Sequence, residues 1–182
     1  MTIRVMGGSA RGRRLLGPVG FKFRPTTGRV KEFICNYLNE EVAGAKVLDL
    51  FSGSGSLGIE ALSRGASEVV FTERSTQNVR MIEKNIDHCG FTKNVRVLKG
   101  DVFSLFKTLA KMGDVFDIIL ADPPFKGYYR QRIVQGVDEN HLLRDGGVLI
   151  VEHESHDPDT GEHNMRLVKQ RRFGHCIVSI YN

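Results

Sequence analysis

From Lys46 onward, short apolar runs alternate with amphipathic stretches. "KVLDLF" is a run of strand length, and "GSGSLGIEALSRGA" follows it as a glycine turn opening a helix. "EVVFTE" is the next strand, and "STQNVRMIEKNIDHCG" a helix with Ser75 as its N-cap and Gly90 closing it. "NVRVLKG" and "FDIILA" are further strands, separated by the helical "VFSLFKTLAKMG". A helix from about Tyr128 to Leu143 then leads to the strand "GGVLIVEH". Strands that alternate with helices in this way predict a parallel sheet built from right-handed crossovers. Two β-rich runs, "HNMRLVKQRRF" and "HCIVSIY", meet at Gly174 and predict an antiparallel hairpin closing the sheet edge. The first 25 residues are glycine-rich and turn-heavy, and read as a small β-hairpin appendage. "TTGRVKEFICNYLNEEV" is a leading helix with Val30, Phe33, Ile34, Tyr37 and Leu38 at helical spacing. The expected division is an appendage over 1–25 and one α/β domain over 26–182.

Composition narrows the class without changing this picture. A chain of 182 residues, 41% hydrophobic and 26% charged, suits one soluble globular domain. No apolar run approaches the roughly 20 residues that cross a bilayer. The N-terminus has no apolar signal-peptide core. Cys35, Cys89 and Cys176 match neither a disulfide framework nor a metal pair, and Cys35 sits in an apolar helical stretch as a core residue. A reducing cytoplasm, a monomer, no membrane and no metal are the expectations. Charge is more informative. Of the net +5, residues 1–31 hold eight basic side chains and no acid, leaving −3 for the remainder. Arg166, Lys169, Arg171 and Arg172 form a second basic cluster. Separated clusters of this kind suit a polyanion such as nucleic acid, although a solvated basic face gives the same pattern.

Gly53, Gly55 and Gly58 form G-x-G-x-x-G between a strand and a helix, with Glu73 twenty residues after Gly53. Alone, this is the dinucleotide fingerprint, with an acid placed for ribose hydroxyls. Asp49, inside the strand before the glycines, argues against a pyrophosphate there. A carboxylate suits a cationic cofactor such as S-adenosylmethionine, which carries a sulfonium and an ammonium. Asp101, ending "KGD", is placed to accept from an adenine amino group, or is a plain surface acid. With Asp122, these acids fall at the carboxyl ends of four successive strands, the edge where open parallel sheets bind ligands.

"VLDLFSGSGSLGIEALSRGA", "VVFTE", "LKGD" and "IILADPPF" together resemble the class I S-adenosylmethionine-dependent methyltransferases. D-P-P-F is similar to the motif of those that methylate planar amino groups. "IRVMGGSARGRRL" and "RPTTGRVKEFICNYL" resemble the bacterial RsmD family, which methylates the 2-amino group of a guanine in small-subunit (16S) ribosomal RNA. The resemblance spans essentially the whole chain. It implies a Rossmann-like seven-stranded, mostly parallel sheet with helices on both faces and a small N-terminal β-hairpin. It also implies that the stretch Asp49, Phe51, Ser52, Gly53 and Gly55 holds the methionine part of the cofactor. Glu73 and the adjacent Arg74 would lie at the ribose, Asp101 and Val102 at the adenine, and Asp122 between cofactor and substrate. The segment Arg24 to Arg29 would lie over the mouth of the site, with Arg24 and Thr26 the residues expected to matter there. Arg11, Arg13, Arg14, Arg24 and Arg29 would contact ribosomal RNA, naked or in an assembling subunit.

An exocyclic guanine amine is a weak nucleophile, because its lone pair is delocalised into the ring. It has donors to offer, so a site that recruits it must supply acceptors. Asp122 and the carbonyl of Pro123 supply two. Pro123 and Pro124 fix two φ angles and contribute no competing N–H. Phe125 offers a stacking face, worth roughly 1–3 kcal/mol to a base. Amino-group methylation of DNA adenine or protein glutamine uses similar motifs and stays open, as does a non-catalytic RNA-binding assembly factor. The short chain leaves no room for a separate DNA-recognition domain, and four intact acids argue for turnover.

Overall fold

The computed structural model describes residues 3–17, 28–124, 129–155 and 163–182. The chain begins with a two-stranded antiparallel ladder, β1 (Ile3–Arg4) and β2 (Arg14–Leu15), and α1 (Gly28–Leu38). A 3₁₀ turn over Asn39–Val42 ends the leading helix earlier than its periodicity suggests, with Asn39 at φ +41°. Then come β3 (Lys46–Leu50), α2 (Ser56–Ser63), β4 (Glu68–Glu73), α3 (Thr76–Cys89) and β5 (Val95–Lys99). They are followed by α4 (Val102–Lys111), β6 (Phe116–Ala121), α5 (Tyr129–Glu139), β7 (Leu143–Glu154), β8 (Leu167–Phe173) and β9 (Cys176–Tyr181). The main sheet has seven strands in the order β5-β4-β3-β6-β7-β9-β8, parallel from β5 through β7, with β9 and β8 antiparallel at the edge. No helix among the described residues is long and apolar enough to cross a membrane.

Alternation along the strands divides the core into two layers. Val47, Val69, Phe71, Ile118, Leu120 and Val178 face α1, α2 and α3, and Val5, Ala10 and Leu15 of the N-terminal segment join that layer. Leu48, Leu50, Val70, Ile119, Ala121 and Val151 face α4 and α5. Capping fixes the helices locally. Ser75 accepts from the Asn78 amide at 3.4 Å, and Gly90 closes α3 at φ +79°. Two boundaries differ from the pattern. Helix α5 stops at Glu139, and β7 starts at Leu143 because Leu143 already pairs with Phe116. The register then shifts, so that Ile118 faces Val148, and Gly146 takes φ +72° inside the shift. Cys35, Cys89 and Cys176 are free thiols in the interior.

Candidate active site

After β3 the chain adds β4 and β5 on one side, then crosses back to lay β6 on the other. The gap between the carboxyl ends of β3 and β6 is therefore the topological switch point, where no crossover covers the sheet. Asp49 pairs with Leu120, and Leu50 with Ala121. Carried one residue further, this register sets Phe51 level with Asp122. Glu73 ends the neighbouring β4, and Asp101 lies two residues past the end of β5. Four acids from four strands thus share one sheet edge.

Their surroundings differ. Asp49 is 1% exposed, and its Oδ2 accepts the Gly58 amide at 2.9 Å. Burial pushes its pKa up to about 7; the Gly58 hydrogen bond opposes that rise and the Glu73 charge adds to it. Only glycine fits at position 58, since a Cβ would stand 2.3 Å from the Phe71 ring and 3.0 Å from Asp49 Oδ2. Glu73, also buried, accepts from the Gly53 amide at 3.0 Å and the Ser75 amide at 2.8 Å. Its carboxylate thereby holds the glycine turn against the start of α3. Ser52 Oγ donates to the Asp49 carbonyl at 2.7 Å, and the Gly55 amide to the Ser52 carbonyl at 2.7 Å with Gly55 at φ +76°. Arg74 is exposed beside Glu73.

Asp101 is exposed, and its Oδ1 accepts the Phe103 and Ser104 amides at 3.1 and 3.3 Å. It caps α4, a role its position before "VFSL" signals but which the ligand argument passed over. Val102 is buried behind it. Asp122 is half-buried one residue beyond β6, Pro123 is buried and Pro124 exposed. Phe125, Arg24 and Thr26 lie outside the described residues.

Phe103, Tyr129 and Arg132, which sequence reasoning did not single out, collect here around Phe51. Phe51, at φ +58°, sets its ring 6.0 Å from Phe103 and 5.6 Å from Tyr129. A positive φ is a genuine outlier for so bulky a residue, and outliers of this kind gather at functional sites. Phe103 and Tyr129 stack at 6.0 Å and 20°, and the Arg132 guanidinium covers Phe103 at 3.8 Å. This cluster stands between Asp101 and the start of α5. Its signal in the sequence is weak, because its members come from three separate elements.

The basic residues divide into two kinds. Arg11, Arg14 and Arg29 are exposed; Arg13 is exposed too but donates to the His88 carbonyl in the last turn of α3. Lys31 is no surface charge: it is buried, 2.9 Å from Glu60 and 3.2 Å from the Arg4 carbonyl. Glu60 also accepts from the Met6 and Gly7 amides, both at 2.8 Å, and from Arg64 at 3.0 Å. Burial alone would raise its pKa, but Lys31, the Met6 amide and Arg64 together hold it below the ordinary range. At the opposite edge, Lys169 lies over Phe33 and Tyr37, and Arg171 over Phe33 and Phe173, at 5.1–5.8 Å. Both cations are exposed and have no acidic partner among the described residues.

An open sheet in this strand order, with a glycine turn at its switch point, is the Rossmann-like fold of the class I methyltransferases. The structure of yhhF from Escherichia coli superposes with a TM-score of 0.85 at 32% identity, covering 100% of this chain and 97% of its own. SMU.776, a more distant structure complexed with SAH, shares the fold at 16% identity and a TM-score of 0.71, over 88% of this chain and 50% of its own. Residues 3–182 match the family model described as Conserved hypothetical protein 95. Ribosomal RNA small subunit methyltransferase D of Escherichia coli K12 is 36% identical over 152 residues, 84% of this chain and 75% of that protein. Its Haemophilus influenzae counterpart is 31% identical over 181 residues, 98% of this chain and 93% of its own. This chain belongs to the ribosomal RNA small subunit methyltransferase D family.

Proposed function

We propose that this protein transfers a methyl group from S-adenosylmethionine to the exocyclic 2-amino group of a guanine in small-subunit ribosomal RNA. The observation that carries the reading is the buried Asp49, whose carboxyl is raised to about 7 against a glycine turn that Glu73 fixes from the other side. A cation placed beside this buried carboxyl favours its ionised form, and a cationic cofactor provides one. The donor set fits: Asp49 and the Phe51–Gly55 backbone for the amino-acid part, Glu73 and Arg74 for the ribose, Asp101 and Val102 for the adenine. When bound, S-adenosylmethionine supplies an electrophilic methyl on sulfur. Asp122 and the Pro123 carbonyl accept the two amine N–H bonds and turn the nitrogen lone pair toward that methyl. Pro124 keeps the backbone rigid, and Phe125 stacks on the base. Catalysis is then chiefly orientation and electrostatics. The amine becomes acidic as it is alkylated, and its proton leaves to Asp122 or to water. The target guanine must be unpaired or flipped to reach the site.

Residues 1–25 act as a basic appendage to the 26–182 domain, with Arg11, Arg13, Arg14 and Arg24 of the appendage and Arg29 of α1 on RNA phosphates. The Lys169 and Arg171 edge adds a second contact. The test offers labelled S-adenosylmethionine with naked ribosomal RNA, assembled small subunits and DNA as separate acceptors. Label on the guanine 2-amino group of either RNA form is expected; label on neither, or on DNA alone, sinks the reading. Asp122→Ala is expected to abolish transfer while cofactor affinity stays within about tenfold. Full activity in that variant would remove Asp122 from the mechanism.

A further inference from the structure

Asn85 lies in the middle of α3 and is fully buried. Its Oδ1 accepts the Leu16 amide at 2.7 Å, and its Nδ2 donates to the Leu16 carbonyl at 3.0 Å. It thus pairs with the N-terminal segment as a strand neighbour would. The second Nδ2 hydrogen goes to the carbonyl of Ser54 at 2.9 Å, between Gly53 and Gly55. The partners fix the amide's orientation uniquely: an N–H must face the oxygen, and two carbonyls must face the nitrogen. One side chain, whose bond to Ser54 is buried and whose bonds to Leu16 are partly buried, therefore ties the basic arm to the glycine turn. Aspartate lacks the donors, and glutamine adds a methylene to a side chain that is fully buried.

Among the described residues, the arm has no other hydrogen bond to that turn. Its other described anchors fall on α1, where Lys31 donates to the Arg4 carbonyl, on the far half of α2 and at the end of α3. Glu60 takes the Met6 and Gly7 amides, Ser63 accepts from Ala10 at 2.9 Å and donates to the Gly7 carbonyl at 2.5 Å, and Arg13 reaches His88. At Gly8 the approach is so close that a Cβ would lie 1.7 Å from the Ser63 carbonyl oxygen. Among the described residues, only the Asn85 clamp touches both Leu16 and the turn that Glu73 braces from the opposite side.

We propose that Asn85 is a positioning residue that couples docking of the N-terminal arm to the shape of the glycine turn, so that RNA on the arm and cofactor in the turn strengthen each other's binding. This rests on the proposed function for the identity of the two ligands, but not for the mechanical link. Two variants load the clamp from opposite ends. Asn85→Ala removes the bridge. Leu16→Pro removes the arm's amide hydrogen and fixes φ there, while leaving Asn85 in place, at a residue that is 53% exposed. The readouts are hydrogen exchange at amides 52–58, SAH affinity by calorimetry, and the factor by which RNA changes that affinity.

Leu16→Pro is expected to speed exchange in the glycine turn at least tenfold, weaken SAH about tenfold and bring the RNA coupling factor close to one. Asn85→Ala should do the same. A purely structural arm contact would speed exchange in residues 3–17 and leave the turn and SAH affinity as in the parent, which would overturn the proposal. If Asn85→Ala does not fold, Leu16→Pro decides alone. If the parent protein binds no SAH, the proposed function fails, and exchange in the turn still decides whether the coupling exists.

Discussion

Asp49 is the residue on which the cofactor reading turns, and its titration gives a test that needs no substrate. Its carboxyl moves from an ordinary 3.8 to about 7 on folding. A raised pKa means that the folded state holds a proton the unfolded chain has released. The stability Asp49 contributes is therefore complete below about pH 4 and is lost as pH rises through 7. Between pH 5 and pH 8 the parent protein should lose about 2–3 kcal/mol that an Asp49→Asn variant keeps, read by urea unfolding at the two pH values. Cofactor affinity should run the opposite way. A cation favours the ionised carboxylate, so affinity rises with pH through 7 in the parent, while Asp49→Asn binds weakly at every pH. A flat affinity profile in the parent would detach Asp49 from the cofactor. Gly58 was legible only as part of a motif; the structure supplies its reason, the Phe71 ring and the Asp49 oxygen on either side of a missing Cβ.

Among the elements, α1 and α2 are held by the Lys31–Glu60 pair, with side chains 5% and 3% exposed. Lys31→Met removes the ammonium from a buried carboxylate that keeps Arg64 and two backbone amides. A loss of about 3 kcal/mol in urea unfolding is expected, with the N-terminal ladder opening first in hydrogen exchange. A loss below about 1 kcal/mol would mean that Arg64 and the amides suffice. The helix pattern did contain this information. Lys31 shares the face of Ile34 and Cys35, three and four residues on, but a count of basic residues treats it as one more surface charge. The boundaries of α5 and β7 were less accessible. Gly146 and Gly147 look like the start of a strand, whereas pairing begins at Leu143 because Phe116 is already there to receive it. The Phe51–Phe103–Tyr129 cluster is also a product of element packing, since it joins the ends of β3, α4 and α5.

For the whole molecule, the positive charge lies at two separated places on a sheet whose switch-point edge is acidic. Arg11 and Arg14 are exposed arm cations whose side chains make no bond among those described, so they are suited to neutralisation. Their joint replacement by Ala should reduce the slope of log affinity for RNA against log salt by about 1.4, at roughly 0.7 for each single-strand phosphate contact. Replacing Lys169 and Arg171 together should reduce it by a similar amount without changing cofactor affinity. An unchanged slope at either site returns it to a solvated face. Arg13 is a poorer probe, because its bond to the His88 carbonyl mixes docking of the arm with any phosphate contact.

The order of strands and helices, the parallel sense of the sheet, the terminal hairpin and the four strand-end acids were determined by the sequence itself. Each rests on local physics: a period of two or 3.6, a cap, or a glycine at a turn. Tertiary structure alone decided that Glu60 is the partner Lys31 meets, and that Asn85 joins Leu16 to Ser54 across separations of 69 and 31 residues. No periodicity records such partners, because they meet only where the chain's path brings distant segments together. The value of each contact then depends on the water that this packing excludes.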